Sequence, residues 1–179
     1  MGDGLVVRRA RPGEEARVAQ IWDDGRRAIA TLGIDQWQHG WPDRATADRS
    51  VAEGVCLVAE RADGVLVGTL CLCPGPDADY ESAALPWKVP GPYVALHRVA
   101  VAAEARRQGV MGRMFEAALD QARADGCAAA RIDTHPGNAT MRAFVASQGF
   151  AEVGTLRLAS MATTEPAADP TRVAFERAL

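Results

Sequence analysis

Residues Leu96–Ala122 read LHRVAVAAEARRQGVMGRMFEAALDQA, and this stretch decides the fold of the chain. Its first residues predict a buried strand, and the apolar stripe that begins at Val110 predicts a long amphipathic helix. Between them lies a short turn with Arg106, Arg107 and Gly109. The free N–H groups and the dipole at a helix start attract anions, and glycine allows close approach to the main chain. The stretch therefore predicts a cradle for a small anion such as a pyrophosphate.

Composition narrows the classes of protein to which the chain can belong. The formal net charge of −3 comes from 20 basic and 23 acidic residues, which are mixed along the sequence without the basic stripe of a nucleic-acid binder. No long uncharged apolar run predicts a membrane span, and the first residues lack the pattern of a secretory signal. We expect one cytoplasmic domain over residues 1–179 without nucleic-acid or membrane partners, and a homodimer stays open as an assembly.

The order of predicted elements indicates an α/β fold. Parallel neighbouring strands need a crossover helix, so this order favours a mixed sheet with helices on both faces that can open between its parallel strands. Ligands of such sheets bind at the carboxyl ends of strands, here near residues 101 and 133. The predicted strands are 5–8, 55–61, 65–73, 93–101, 128–133, 151–158 and 172–177, and the predicted helices are 14–32, 44–53, 110–125 and 139–147. Segments 74–92 and 161–170 are predicted to be irregular.

The turn is neither of the common nucleotide-binding motifs, because the Walker pattern and the dinucleotide glycine spacing are both missing. It resembles the motif [RQ]-x-x-G-x-[GA] of the GCN5-related N-acetyltransferase (GNAT) family, with Arg106 and Gly109 in place. Met111 stands where the family has glycine or alanine, although Gly112 follows it. The stretch RIDTHPGNATMRAFVASQGF, residues 131–150, is similar to the second conserved stretch of the family.

The resemblance implies a fold, a cosubstrate and a reaction. The fold is a mostly antiparallel sheet of about seven strands, split between its two central parallel strands. The reaction is direct transfer of an acetyl group from acetyl-CoA to a primary amine of a small molecule, with no metal. The residues implied in acetyl-CoA binding are the backbone of Val99 and Val101 for the pantetheine arm, the turn Arg106, Arg107, Gln108, Gly109, Val110, Met111 and Gly112 for the pyrophosphate, and Asn138.

His97 is the first candidate for the general base, since it lies on the strand that contacts the cosubstrate and imidazole exchanges protons near neutral pH. A buried histidine that is satisfied by a carboxylate is an equal alternative. On an ideal strand His97 would share a face with Val99 and Val101, but a bulge would change this.

Asp133 and His135 are the second catalytic candidates. They end the neighbouring strand and share a face, so we expect an Asp–His pair with Arg98 as a charge partner, against the alternative of a structural network. The tyrosine acid that many relatives carry seven residues after the asparagine is replaced here by Val145.

Aromatic side chains in two predicted loops are candidates for acceptor binding, because aromatic faces attract cationic amines. Core packing is the alternative for each. Cys71 and Cys73 lie in apolar surroundings, so we expect core packing rather than a metal site or an acyl-enzyme. The acceptor-binding candidates are Trp37, Trp41, Tyr80 and Trp87, together with Arg98.

Two other functions stay open at this point. The loss of the tyrosine and the presence of Met111 would permit a sensor that binds acyl-CoA without catalysis. Acetylation of a protein or of tRNA is less compatible with the mixed charge but is not excluded.

Overall fold

The computed structural model describes residues 4–179, which form one sheet with helices packed against it. The strands and the four longer helices lie close to their predicted bounds. The strands are β1 Val6–Arg9, β2 Cys56–Glu60, β3 Leu66–Pro74, β4 Tyr93–Val101, β5 Ala129–Thr134, β6 Ala151–Arg157 and β7 Thr171–Ala178; the helices are α1 Glu15–Ala30, α2 Arg44–Ala52, α3 Ala78–Ser82, α4 Val110–Ala124, α5 Ala139–Ser147 and α6 Met161–Thr164.

The seven strands follow the order β1-β2-β3-β4-β5-β7-β6. The pair β4–β5 is parallel, and the other five pairs are antiparallel. Helix α4 provides the crossover that a parallel connection requires. The predicted fold class, a mostly antiparallel mixed sheet with two parallel central strands, is confirmed.

Helices α1 and α4 bury their apolar stripes against the middle of the sheet. Trp22 and Phe115 are among the largest fully buried side chains. Gly68 on β3 allows α4 to approach closely, because a Cβ there would lie 2.7 Å from Met114 Sδ and 2.9 Å from Val110 Cγ1. The first turn of α4 is therefore held tightly on the sheet.

Two short helices lie in segments that were predicted to be irregular. Helix α3 begins where the Asp77 carboxylate accepts hydrogen bonds from Asp79 N and Tyr80 N, and α6 interrupts the connection from β6 to β7. Helices of four or five residues are too short to show a helical period, which is why the pattern missed them. None of the helices within residues 4–179 has the length and apolar character needed to cross a membrane.

Strand β4 contains a bulge at Arg98. His97 pairs with Cys71 and Ala100 with Thr69, so β4 has one more residue than β3 over this interval. Arg98 has φ 52°, a left-handed conformation that is uncommon for residues other than glycine. The pairing of β4 with β5 ends at Leu96 and Ile132; beyond this point β4 continues along β3 only and β5 along β7 only.

Candidate active site

A cavity of about 1030 Å³ opens where β4 and β5 separate. Both strand ends contribute to it, as the sequence predicted from the end of β4 at Val101 and the end of β5 at Asp133. Its other walls come from α1, α2, the start of α4, α5 and the connection that contains α6. Small-molecule sites usually occupy roughly 300–1,000 Å³, so this cavity lies at the upper end of their range.

One end of the cavity is the start of α4. Gly109 caps the helix with φ 77°, and no atom lies within 4 Å of the position that a Cβ would take. The N–H groups of Val110, Met111 and Gly112 lie in the first helical turn, where they have no intrahelical acceptor. These residues line the cavity, as do Arg106 and Arg107, so this end is suited to an anion.

Hydrogen bonds to α1 hold the turn before α4 in place. The Arg106 guanidinium donates to the Asp24 carbonyl, and the Asp24 carboxylate accepts from Ala103 N at 2.9 Å. Burial raises the pKa of Asp24, but the hydrogen bond from Ala103 and the charges of Arg27 and Arg106 outweigh it, so its pKa is lowered. Gln108 was predicted among the residues that bind the cosubstrate. Its side-chain amide instead donates a hydrogen bond to the Glu104 carbonyl, and it does not line the cavity.

The edge of β4 that faces the cavity is free of β5. Ala102 N donates to Val67 O of β3 at 2.9 Å. Because neighbouring residues of a strand direct their backbone groups to opposite edges, Val99 and Val101 direct theirs away from β3, into the gap. This edge is suited to pairing with an extended polar chain.

His97 lines the cavity and is paired with a carboxylate. Its Nε2 lies 2.9 Å from Asp77 Oδ2, and both side chains are largely buried. Burial raises the pKa of Asp77, but the hydrogen bond and the charge of His97 outweigh it, so the pKa of this carboxyl is lowered. An ionised carboxylate accepts hydrogen bonds only, which places the imidazole proton on Nε2 and leaves Nδ1 as the basic nitrogen. Both predictions for His97, base and carboxylate partner, are compatible with this pair.

The expected pair of Asp133 and His135 is not formed. Asp133 lines the cavity, accepts a hydrogen bond from the Tyr80 hydroxyl at 2.8 Å and lies 3.7 Å from Arg172 Nε. His135 instead lies 3.5 Å from Asp169 and does not line the cavity. The strand ends after Thr134, so the face that two residues share on an ideal strand is lost. Burial raises the pKa of Asp133, although the charges of His97 and Arg172 and the hydrogen bond from Tyr80 oppose it.

The sequence suggested Arg98 as a charge partner of Asp133, but in the structure Arg98 contacts other residues. Its Nε donates to Cys71 Sγ at 3.4 Å, and its guanidinium carbon lies 5.9 Å from the centre of the Trp41 ring. A hydrogen bond with Cys56 and the charge of Arg98 lower the pKa of the Cys71 thiol against the effect of burial. Cys71 is fully buried in the core and does not line the cavity, whereas Cys73 does, and burial raises the pKa of its thiol to about 11.

The four aromatic candidates divide into two groups. Trp37 and Trp41 line the cavity, and Trp37 is also part of the main core. Tyr80 and Trp87 do not line it: they pack on each other with ring centres 5.4 Å apart, and Arg131 stacks on Trp87 at 4.1 Å. This second group supports the wall behind Asp133.

Asn138 caps α5 at the edge of the cavity. Its Oδ1 accepts from Met141 N at 3.1 Å, and its Nδ2 donates to Gln36 Oε1 at 3.2 Å. Thr134 Oγ1 also donates to Gln36 Oε1, at 3.4 Å. The side chain is buried and both ends of its amide are in use, so it fixes α5 against the loop after α1.

Sequence reasoning missed several polar residues of the cavity, and three of them, Asp77, Gln36 and Arg172, contact predicted site residues. Their partners lie 20, 102 and 39 positions away along the chain, which no local pattern shows. Among these three residues, only Asp77 has a local sequence signal, because aspartate is a preferred residue at the N-cap of a helix and α3 begins at the next residue.

Comparisons with known proteins agree with this geometry. A family model described as "Acetyltransferase (GNAT) family" matches residues 17–150. None of the curated proteins matches the sequence.

Solved structures show the same fold. A GNAT-family acetyltransferase from Streptococcus agalactiae 2603 is 24% identical with a TM-score of 0.80, covering 99% of this chain and 96% of that one. A GCN5-related N-acetyltransferase from Kribbella flavida is 22% identical with a TM-score of 0.69, covering 100% of both chains. A ribosomal-protein-alanine N-acetyltransferase from Brucella melitensis is 21% identical with a TM-score of 0.66, covering 97% and 99%. At these identities the likeness is one of fold.

Proposed function

Because the chain belongs to the GNAT family of acetyltransferases, we propose that it transfers an acetyl group from acetyl-CoA to a primary amine of a small molecule. Family and fold support acyl transfer in general. One observation supports transfer of an acetyl group from acetyl-CoA to an amine. A single cavity extends from the start of α4, which is suited to an anion, across the gap between β4 and β5 to the His97–Asp77 pair.

The residues present are compatible with acetyl-CoA. The turn at Gly109 offers free N–H groups, an open approach and two arginines to a pyrophosphate. The free edge at Val99 and Val101 offers backbone groups to the amide-containing pantetheine arm. Phe144 and Met141 add apolar surface from α5 at the same cavity. Met111 itself lines the cavity, and the neighbouring Gly112 leaves open space, because an added Cβ there would meet nothing within 4 Å.

Direct transfer requires that an ammonium lose a proton and that a thiolate gain one. His97 is the proposed base, with Nδ1 as the proton acceptor and Asp77 as the group that fixes the ring. Asp133 is the proposed proton donor in place of the absent tyrosine, because burial favours its protonated form and it lines the same cavity. No acyl-enzyme is proposed, since the cavity thiol of Cys73 has a raised pKa.

The proposal is tested by offering acetyl-CoA and a panel of amines to the protein and detecting acetylated products by mass spectrometry. We expect at least one amine to be acetylated and His97→Ala to lower kcat by roughly 10²–10⁴-fold, the usual contribution of a positioned base. Binding of acetyl-CoA without any product across the panel would favour the sensor instead.

The anion site has a matched control at the other end of the same helix. Gly109 and Gly126 have φ 77° and 78°, and a Cβ would meet nothing within 4 Å at either. Alanine at either position should therefore cost about 1–2 kcal/mol of backbone strain. We expect only Gly109→Ala to weaken acetyl-CoA binding in calorimetry, by tenfold or more, because Gly126 does not line the cavity. Equal affinities in the two variants would remove the turn from the binding site.

A further inference from the structure

Arg98 lines the cavity and uses only a small part of its hydrogen-bonding capacity. A guanidinium carries five N–H donors, and the Nε donor of Arg98 is directed at Cys71. Within residues 4–179, neither terminal nitrogen has an acceptor at hydrogen-bond distance, and no carboxylate lies within 4.0 Å of the group. Its two terminal nitrogens are therefore available to a ligand in the cavity that Arg98 lines.

Two other cations of the cavity have roles of their own. Arg172 lies beside Asp133 and donates to two backbone carbonyls, and Arg106 donates to the Asp24 carbonyl and belongs to the anion-binding turn. Arg98 differs from both, and its orientation requires a left-handed backbone in the bulge, where the Trp22 indole N–H binds the Arg98 carbonyl at 3.1 Å. Backbone conformations of this kind concentrate at functional sites, since the surrounding structure must compensate for their strain.

A second arginine reaches the cavity from α2. Arg49 lines it together with Thr46, Ser50 and Glu53, which recur at helical spacing. Arg49 donates to Thr46 Oγ1 at 3.2 Å and has no ion-pair partner among residues 4–179. By contrast, Arg44 on the same helix pairs with Asp48 at 2.6 Å and does not line the cavity.

We propose that Arg98, assisted by Arg49, binds a carboxylate of the acceptor, and that the acceptor is an α-amino acid; this rests on the proposed function. The two terminal nitrogens of a guanidinium match the two oxygens of a carboxylate. His97 precedes Arg98 on β4 and lines the same cavity. In an α-amino acid the amine is two bonds from the carboxylate carbon, so we infer that binding of the carboxylate at Arg98 brings the amine to the base. The Trp41 ring centre lies 5.9 Å from the guanidinium carbon, within the range of a cation–π interaction.

The test compares each α-amino acid with the amine that lacks its carboxylate, using kcat/KM for acetylation. We expect the wild-type protein to prefer the amino acid. Arg98→Gln should lower kcat/KM for the amino acid by roughly 10-fold to 150-fold, because a hydrogen bond to a charged group contributes a factor of this size. The value for the amine should stay nearly unchanged. A general disturbance of the neighbouring His97 would lower both values equally, so the ratio isolates carboxylate binding. Preference for the amine, or an unchanged ratio in Arg98→Gln, would overturn the inference.

Arg49→Gln provides a second variant that does not touch the core, with Arg44→Gln as its matched control on α2. We expect Arg49→Gln to raise KM for the amino acid several-fold and Arg44→Gln to leave it unchanged. If Arg98→Gln does not fold, this pair decides: equal KM values for the two variants would overturn the inference.

Failure of the proposed function gives a different pattern. Calorimetric titration of amino acids and amines into the CoA-loaded protein measures binding without turnover. Amino-acid binding that is lost in Arg98→Gln, without any acetylated product, would contradict transferase activity and keep the carboxylate site. Acetylation of carboxylate-free amines alone would keep the transferase and contradict the site, and neither product nor amino-acid binding would contradict both.

Discussion

Asp77 has two roles that a single substitution can separate. Its Oδ1 caps α3 by accepting from Asp79 N and Tyr80 N, while its Oδ2 lies 2.9 Å from His97 Nε2. Asparagine is as good an N-cap as aspartate, but it has no charge. Asp77→Asn therefore removes the anion beside His97 and keeps the helix start.

We expect Asp77→Asn to lower kcat by roughly 10-fold to 100-fold, less than the roughly 10²–10⁴-fold that a general base contributes. Its loss of stability should depend on pH. The pKa of Asp77 in the folded protein is lowered, so its carboxylate stabilises the fold above the unfolded value of 3.8, and this stabilisation is lost as the pH falls through the folded pKa.

Thermal unfolding of the wild-type and Asp77→Asn proteins from pH 3 to pH 7 measures this difference. The two curves should converge at the acid end and separate as the pH rises. Asp63→Asn, at an exposed ion pair with Arg61, is the control that should leave kcat unchanged. A constant difference across pH would contradict the charge–charge explanation.

At the scale of elements, the contact between β3 and α4 positions the anion site. Val110 is the first residue of α4, and its side chain packs over Gly68 of β3. The start of the helix is thus fixed by packing on the sheet as well as by the hydrogen bonds of Asp24. A shift of this contact should therefore change the position of the anion-binding turn.

Gly68→Ala tests that coupling between packing and ligand binding. The new methyl group would lie 2.7 Å from Met114 Sδ and 2.9 Å from Val110 Cγ1, so these side chains of α4 must shift. We expect a loss of about 1–3 kcal/mol in the free energy of unfolding, as for other overpacked cores, and weaker acetyl-CoA binding. Denaturant unfolding and calorimetry measure the two effects. A destabilised protein with unchanged affinity would show that the turn is held by Asp24 alone.

At the scale of the whole molecule, β4 and β5 are paired at their amino ends and separate towards their carboxyl ends. Four residue pairs join the two strands, from Tyr93↔Ala129 to Leu96↔Ile132. A ligand that fills the gap contacts both halves of the sheet and the helices beside them, so it should stabilise the entire domain.

Acetyl-CoA at about 100 times its Kd should stabilise the protein by about 2.7 kcal/mol and raise Tm by roughly 5–11 °C. ADP carries the pyrophosphate without the pantetheine arm, so at the same concentration it should raise Tm less. Thermal unfolding with each ligand gives the comparison. Equal shifts would place the ligand at the turn only, outside the gap.

The sequence by itself determined the strands, the four longer helices and the anion-binding turn. The stretch from Leu96 to Ala122 contains a strand, a glycine turn and a helix in direct succession, so local periodicity and helix-end chemistry suffice to predict them. The alternation of strands and helices likewise predicted a mixed sheet, because few topologies bury such elements. Residue types carried enough information here since the interacting groups are neighbours along the chain.

Only the tertiary structure decided which side chains meet in the cavity. His97 contacts Asp77, Asp133 contacts Tyr80 and Arg172, and Arg98 contacts Cys71. Each of these pairs is separated by 20 or more residues along the chain. A one-residue bulge in β4 changed the face that each later side chain occupies, and the pattern of the strand does not show where a bulge lies. The chemistry of the site thus depends on register and long-range packing, which arise from the whole fold and not from any one segment.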